Sequence, residues 1–342
     1  MVIEEYVPLA DHTTFRLGGP ARYFCTVETL DDLRQAVSFA REHTLPIFML
    51  GGGSNVLFGD AGWSGVVIRL HLGVVEYGEG TRGDVRVVAG AGVVWDTLVD
   101  DTVSQGMWGM ENLSFIPGTV GATPVQNVGA YGVEVKEIID WVEVFDIVSG
   151  ELHVFSQNEC AFSYRTSVFR RPEGKDFIVT KVAYRLSASP HPRITYRDLA
   201  EHFDGHEPRE PREVRDALRS IRMSKLPNLT EVGTAGSFFK NPIVTHAQYR
   251  SMSSWLGTEP PCHTVDADHV KVPLAWILDT LGWKGKREGH VGTWANQPLV
   301  LVHYGNGTAR ELMKFAQDIA HDVKARTGIT IEPEVCLARV PV

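Results

Sequence analysis

Two glycine-rich loops, Gly51-Gly52-Gly53-Ser54-Asn55 and Ile116-Pro117-Gly118-Thr119-Val120-Gly121, hold the residues best suited to chemistry. Glycine lacks a Cβ, so backbone N–H groups in such loops can come close to a phosphate. Neither loop has a common nucleotide-binding spacing. The Gly-x-Gly-x-x-Gly pattern needs a glycine at Val56, and the Walker pattern needs Gly-Lys where Val56-Leu57 stand. Alone, the first loop reads equally well as a tight turn between strands. The second is more informative because it runs on through Pro124-Val125-Gln126-Asn127-Val128-Gly129-Ala130-Tyr131-Gly132. This uncharged run of small residues and amides suits a flat heteroaromatic ring bearing carbonyl and N–H groups, as isoalloxazine does. Together the loops predict one long ligand held along its length by two lobes, as a dinucleotide such as FAD would be.

The elements that must position these loops follow from periodicity. Residues 21–27 are β-prone, and Thr29-Leu30-Asp31-Asp32 reads as a helix start with acids in its first turn. Leu33, Ala36, Val37 and Ala40 then recur at helical spacing, Pro46 closes that helix, and 47–50 is a short apolar strand delivering the chain into the first loop. Segments 66–70, 85–89, 141–147, 151–155 and 177–186 are rich in β-branched and aromatic residues and predict strands, with Val148-Ser149-Gly150 as a hairpin turn. A helix over about 95–105 precedes the second loop. The stretch 187–211 predicts a long loop, and loops of that length tend to be functional. Pro211 opens a helix with Val214, Ala217, Leu218 and Ile221 on one face. Arg212, Arg215, Arg219 and Arg222 line the other face, interleaved with Glu210, Glu213 and Asp216, which predicts a solvated, salt-bridged surface. A helix over 273–281 ends at Gly282. Thr308 and Glu311 form a capping box for a helix that buries Leu312, Phe315, Ile319 and Val323 and stops at Gly328. Segment 329–337 predicts a final strand interrupted by Pro333.

Composition bounds the function. At 342 residues the chain predicts more than one domain, and 43% hydrophobic with 22% charged residues is ordinary for a soluble enzyme. A net charge of −9 argues against general affinity for nucleic acid or anionic membrane, so an anionic substrate must be met by local basic residues. The four scattered cysteines, the acidic N-terminal residues and the lack of a long apolar run predict a reduced, cytoplasmic protein. Cys262, His263, Asp266, Asp268 and His269 have zinc-compatible side chains but no metal-site spacing; no metal is expected, and an aspartate here is read as capping local structure.

Five segments occur in order: Leu50-Gly51-Gly52-Gly53-Ser54-Asn55; the 116–121 loop with 125–132; Ser163-Tyr164-Arg165; Ala235-Gly236-Ser237-Phe238-Phe239-Lys240-Asn241-Pro242; and Ile331-Glu332-Pro333-Glu334-Val335. Together they closely resemble the bacterial UDP-N-acetylenolpyruvoylglucosamine reductases, from about Thr13 to the C-terminus. These are FAD flavoproteins that use NADPH in peptidoglycan precursor synthesis. The resemblance implies an α+β fold, a two-lobed PCMH/vanillyl-alcohol-oxidase-type FAD-binding domain with a separate α+β substrate-binding domain. The expected boundaries are 1–70 for lobe 1, 71–218 for lobe 2 with a C-terminal return at 320–342, and 219–319 for the substrate domain. It implies non-covalent FAD held by Gly51, Gly52, Gly53, Ser54, Asn55, Ile116, Pro117, Gly118, Thr119, Gly121, Gln126, Asn127, Gly129, Ala130 and Tyr131. Arg165, Ser237 and Glu332 are the implied catalytic residues. Lys225, Asn241 and Gln297 are expected at the UDP diphosphate. Tyr196, in Ile194-Thr195-Tyr196-Arg197-Asp198, resembles the substrate-clamping tyrosine of the subclass that carries this extra loop. Thr123 stands where the family has alanine or glycine, which implies altered packing near the flavin.

The residue types agree with those roles. Hydride addition to C3 of an enolpyruvyl ether drives electrons onto C2 and its carboxylate, and a guanidinium stabilises that charge through a planar fork. Glu332 can help only if it carries or shares a proton. Serine is a weak acid, so Ser237 can protonate only a strongly basic carbon, with Lys225 or Lys240 easing the charge left behind. Taken singly, Ser237 reads as a turn cap, Arg165 as a packing arginine, Glu332 as a solvated strand end and Tyr196 as an ordinary loop residue. A related flavin oxidase and a silent nucleotide-sugar sensor remain alternatives. Neither loop has the His or Cys that would anchor flavin covalently, and the Arg165, Ser237 and Glu332 set argues against a sensor.

Overall fold

A computed structural model describes residues 1–80 and 83–338. The chain divides into two compact units, the first comprising 1–6, 22–52 and 64–222, the second 7–21, 53–63 and 223–342. The first glycine loop is therefore shared: Gly51 and Gly52 belong to the first unit, Gly53, Ser54 and Asn55 to the second. Residues 320–342 fall in the second unit.

The first unit contains two large sheets, beside a two-stranded ribbon of Gly129–Ala130 and Val133–Glu134. Strands Glu4–Pro8, Pro20–Val27, Trp63–Leu70 and Ile47–Leu50 make a four-stranded sheet in that order, apart from residues at the strand ends. Helix α1 (Leu30–Glu42) covers it. The helix starts where the sequence places it, and the Thr29 hydroxyl accepts from the Asp32 N–H while the Asp32 carboxylate accepts from the Thr29 N–H, a reciprocal cap. Leu33, Ala36, Val37 and Ala40 pack against Val27, Val66 and Ile68. The second sheet is antiparallel and five-stranded, in the order Leu152–Ser156, Ile139–Asp146, Phe177–Leu186, Val85–Gly90 and Val75–Glu79. Helix α2 (Trp95–Ser104) supplies Trp95, Leu98, Val99 and Val103 to its core.

Three expectations need correction. The 187–211 stretch is not wholly loop: it contains a short helix, α3 (Arg197–Phe203), ended by Asp204 in the left-handed conformation. Seven residues give too few turns for periodicity to register. Helix α4 (Pro211–Lys225) buries Val214, Ala217 and Leu218 as expected, but Arg215 is also buried. Its guanidinium pairs with Asp96 at 2.7 Å and Asp100 at 3.0 Å, both on α2, and stacks 4.2 Å over the Phe115 ring. Its partners come from a distant helix, not from the interleaved acids, so local charge alternation could not reveal them. Finally, the terminal strand is confined to Cys336–Ala338, with Pro333 outside it.

The second unit is built on one large apolar core. Helices α5 (His246–Leu256), α6 (Leu274–Thr280) and α7 (Ala309–Thr327) contribute Met252, Ile277, Leu278, Phe315, Ile319 and Val323 to it. The α7 start carries the expected Thr308–Glu311 capping box, reinforced by Asp60, whose carboxylate accepts from the Ala309 and Arg310 N–H groups. Cys336–Ala338 pairs in parallel with Val56–Phe58. Asp266 closes a turn by accepting from the Asp268 and His269 N–H groups.

Candidate active site

In the first unit the two glycine loops meet at backbone distance. A Cβ added to Gly52 would stand 2.9 Å from the Gly118 Cα, and one added to Gly51 would stand 2.6 Å from the Thr119 hydroxyl. Gly121 is similarly close to Ala91, where an added Cβ would meet the alanine methyl at 2.6 Å. The loops fit the cradle a dinucleotide needs: neutral, rich in backbone N–H groups and open only because these positions lack side chains. Entry to the second loop is fixed from outside. The Phe115 N–H donates to the Asp96 carboxylate at 2.5 Å, and Arg215 clamps that same carboxylate.

The 125–132 run does a second job. Asn127 is fully buried, and its amide nitrogen donates to the Glu134 carboxylate at 3.0 Å and to the Ser163 carbonyl at 3.1 Å. Its amide oxygen accepts from the Lys136 N–H at 3.2 Å. Both side-chain donors are thus used within the protein, which leaves the Asn127 amide no N–H for a flavin. Ser167 donates to the Val125 carbonyl at 2.7 Å. Between these two ties, the 163–166 turn carries Arg165 at φ +55°, in the left-handed region. The Arg165 guanidinium donates to the Gly129 carbonyl at 2.8 Å and lies 5.5 Å over the Tyr164 ring. A Cβ on Gly129 would come within 3.0 Å of that guanidinium, so glycine here admits the arginine. The structure therefore joins Arg165 directly to Gly129 and, through the turn at Ser163, to Asn127.

Thr123 is buried, and its hydroxyl lies 2.8 Å from the Val120 carbonyl and 2.9 Å from the Tyr184 hydroxyl. Burial pushes the Tyr184 phenol well above its ordinary value, so it stays neutral and needs this partner. A small residue at 123 would leave that phenol oxygen alone in the core.

The second unit assembles Ser237 and Glu332 by backbone pairing. Ser237 bridges to Val300, and Phe239 bridges to Pro333. The Lys240 N–H donates to the Glu332 carbonyl at 2.9 Å, and the Glu334 N–H donates to the Phe238 carbonyl at 2.7 Å. Phe238 and Phe239 are both buried in the core, while Ser237 before them is exposed. The Lys240 ammonium lies 3.4 Å from the Glu332 carboxylate. Asn241 is committed through its amide oxygen, which accepts from Leu274 N–H at 2.9 Å and caps α6. Lys225 ends α4, and the preceding Ser224 carbonyl accepts from Asn296 at 2.9 Å. Gln297 opens the strand Gln297–His303. Asn55 reaches the Glu334 backbone, and its carbonyl accepts from Cys336 N–H at 3.0 Å.

Tyr196 sits at the start of α3 in the first unit, its ring edge-on to Tyr131 at 5.3 Å. The sequence reading missed the side chains that hold these pieces in place: Asn112, Ser167, Glu134 and Arg215. Their polar type was the only signal available, and their partners lie far along the chain. Among the described residues, no group of three or more His, Cys, Asp or Glu side chains could hold a metal ion. Among them no helix is long and apolar enough to cross a membrane.

Residues 21–156 match the family model described as FAD binding domain. Residues 228–338 match that of the UDP-N-acetylenolpyruvoylglucosamine reductase, C-terminal domain. A UDP-N-acetylenolpyruvoylglucosamine reductase of Bacteroides fragilis is 39% identical over 333 residues, which is 97% of this chain and 99% of the relative. The enzyme of the same name from Cupriavidus pinatubonensis is 40% identical over 332 residues, 96% of this chain and 97% of the relative. The crystal structure of the Thermus caldophilus UDP-N-acetylenolpyruvylglucosamine reductase matches at TM-score 0.68 and 26% identity, covering 99% of each chain. The expected fold class, a two-lobed FAD-binding domain plus a separate α+β substrate-binding domain, agrees with these matches.

Proposed function

The chain belongs to the UDP-N-acetylenolpyruvoylglucosamine reductase family of oxidoreductases, and from that premise we propose the roles of its residues in reducing the enolpyruvyl ether of UDP-N-acetylglucosamine enolpyruvate to UDP-N-acetylmuramate. FAD, when bound, supplies the hydride carrier that NADPH recharges. Gly51, Gly52, Gly118 and Thr119 hold its diphosphate, and the 125–131 run faces its ring. Arg165 binds the substrate carboxylate and stabilises the charge that grows there as hydride reaches C3. Ser237 delivers the proton to C2. Glu332, carrying or sharing a proton with Lys240 beside it, donates to the same carboxylate. Lys225, Asn241 and Gln297 hold the UDP diphosphate, and Tyr196 closes over the substrate.

The observation that carries this reading is the Arg165 guanidinium, held 2.8 Å from the Gly129 carbonyl. It supports an arginine placed beside the ring-facing run rather than on the surface. Purified protein should be yellow, bleach with NADPH and regain colour on adding the enolpyruvyl sugar. Ser237→Ala should bleach normally and fail to regain colour; a matched loss of both steps refutes the assignment of Ser237. Colourless protein that takes up no FAD refutes the reading as a whole.

A further inference from the structure

We propose that Asn112 is a positioning residue that couples the loop carrying Tyr196 to the loop carrying Tyr131. The proposal deepens the functional reading and rests on it where Tyr196 is assigned to the substrate. Asn112 lies in a single 3-10 turn, Glu111–Leu113, and is 1% exposed. Its amide nitrogen donates to the Tyr131 carbonyl at 3.1 Å and to the Arg193 carbonyl at 2.8 Å. Both acceptors are carbonyls, so the amide orientation is fixed by its partners. One side chain therefore uses its two N–H groups to join the end of the ring-facing run to a residue three before Tyr196. The amide oxygen is buried with no hydrogen-bond partner among the described residues. A position that served packing alone would be better filled by leucine; the two donors account for the amide.

The surroundings agree. Just before that turn, Trp108 and Ser187 exchange paired backbone hydrogen bonds that dock the start of the 187–196 segment, and the Arg193 guanidinium pairs with Glu137. The Tyr131 and Tyr196 rings then meet edge-on. A cavity of about 130 Å³ runs along this seam, lined by Trp108, Glu111, Glu137, Ser187, His191 and Arg193. Ile194 packs against the cluster of Trp108 and Leu199, and the Asn112 hydrogen bond to Arg193 fixes the segment one residue earlier, beside the cavity.

Asn112→Asp removes both donors at constant shape, and Asn112→Ala removes them without burying a charge. In FAD-loaded protein, amide hydrogen exchange over 188–197 should quicken by about tenfold while exchange in Ile139–Asp146 stays unchanged. The KM for the enolpyruvyl sugar should rise by about tenfold while bleaching by NADPH stays within about twofold. Tyr196→Ala should raise KM similarly, and the double variant should add little to either single one. Unchanged exchange and KM overturn the proposal. Loss of FAD from both Asn112 variants also overturns it, by making Asn112 a general folding residue. If exchange quickens but Tyr196→Ala leaves KM unmoved, the assignment of Tyr196 fails and the coupling by Asn112 stands.

Discussion

The two units hold their reactive side chains by different means. In the first, Arg165 is fixed by side-chain hydrogen bonds: Asn127 to Ser163, Ser167 to Val125, and the guanidinium itself to Gly129. In the second, Ser237 and Glu332 ride on backbone pairing above an apolar core that buries Phe238 and Phe239. Single hydrogen bonds are individually modest but geometrically strict, whereas a core supplies stability without directing any one atom. On the proposed roles, a guanidinium that meets a planar carboxylate needs direction, whereas a hydroxyl that delivers one proton needs mainly a firm platform.

That contrast can be broken. Phe238→Ala removes a fully buried ring that meets Phe15 and Phe239 edge-on, and should cost about 3–5 kcal/mol. Denaturant melts followed by tryptophan and by flavin should show the loss in the second unit with FAD retained; equal loss of flavin would erase the distinction. Arg165→Lys keeps the charge and loses the fork. It should slow colour recovery by roughly a hundredfold at nearly unchanged melting, and a large drop in stability would show that the arginine serves the fold instead. Gly52→Ala forces a methyl to within 2.9 Å of Gly118 and should weaken FAD binding by roughly tenfold, measured by titration of the apoprotein. Unchanged affinity would remove the two-loop cradle.

The smallest effect is the response to pH, and it should have opposite sign at two buried groups, Glu111 and His303. Burial raises the Glu111 carboxyl above its ordinary 4.5. Its contribution is therefore full below that value and lost as pH rises through the raised one. Burial lowers His303 below its ordinary 6.5, and its Nε2 accepts from the Gly307 N–H while its Nδ1 lies 3.2 Å from the Phe15 carbonyl. That contribution is full above 6.5 and lost as pH falls through the lowered value. Melts across pH should show that Glu111→Gln removes a loss of stability on raising pH and His303→Gln one on lowering it; a change of the same sign in both variants would contradict this.

What the sequence makes legible is local. Thr29 and Thr308 announce helices because a cap and its acid lie three residues apart, and the 177–186 strand is found by its β-branched run. The motifs around Arg165, Ser237 and Glu332 were readable because each is a short contiguous string. The supports were not. Arg215 looks like one of four surface arginines until Asp96 and Asp100 arrive from another helix. Asn112 and Ser167 are unremarkable polar residues until their acceptors, 19 and 42 positions away, are known. Helix α3 is too short to impose a period, and the last strand begins later than its apolar run because Pro333 lacks an N–H to give to a ladder.

The parallel pairing of Cys336 with Val56 sets an order of events during synthesis. Residues 56–58 leave the ribosome early, yet their neighbour arrives only after nearly all the intervening chain has been made. Through that interval Phe15 and Leu17 are already made and can pack on Leu57, but the strand lacks its hydrogen-bonded neighbour. Such a distant contact closes slowly, and so the second unit completes its pairing only once the C-terminal segment has emerged.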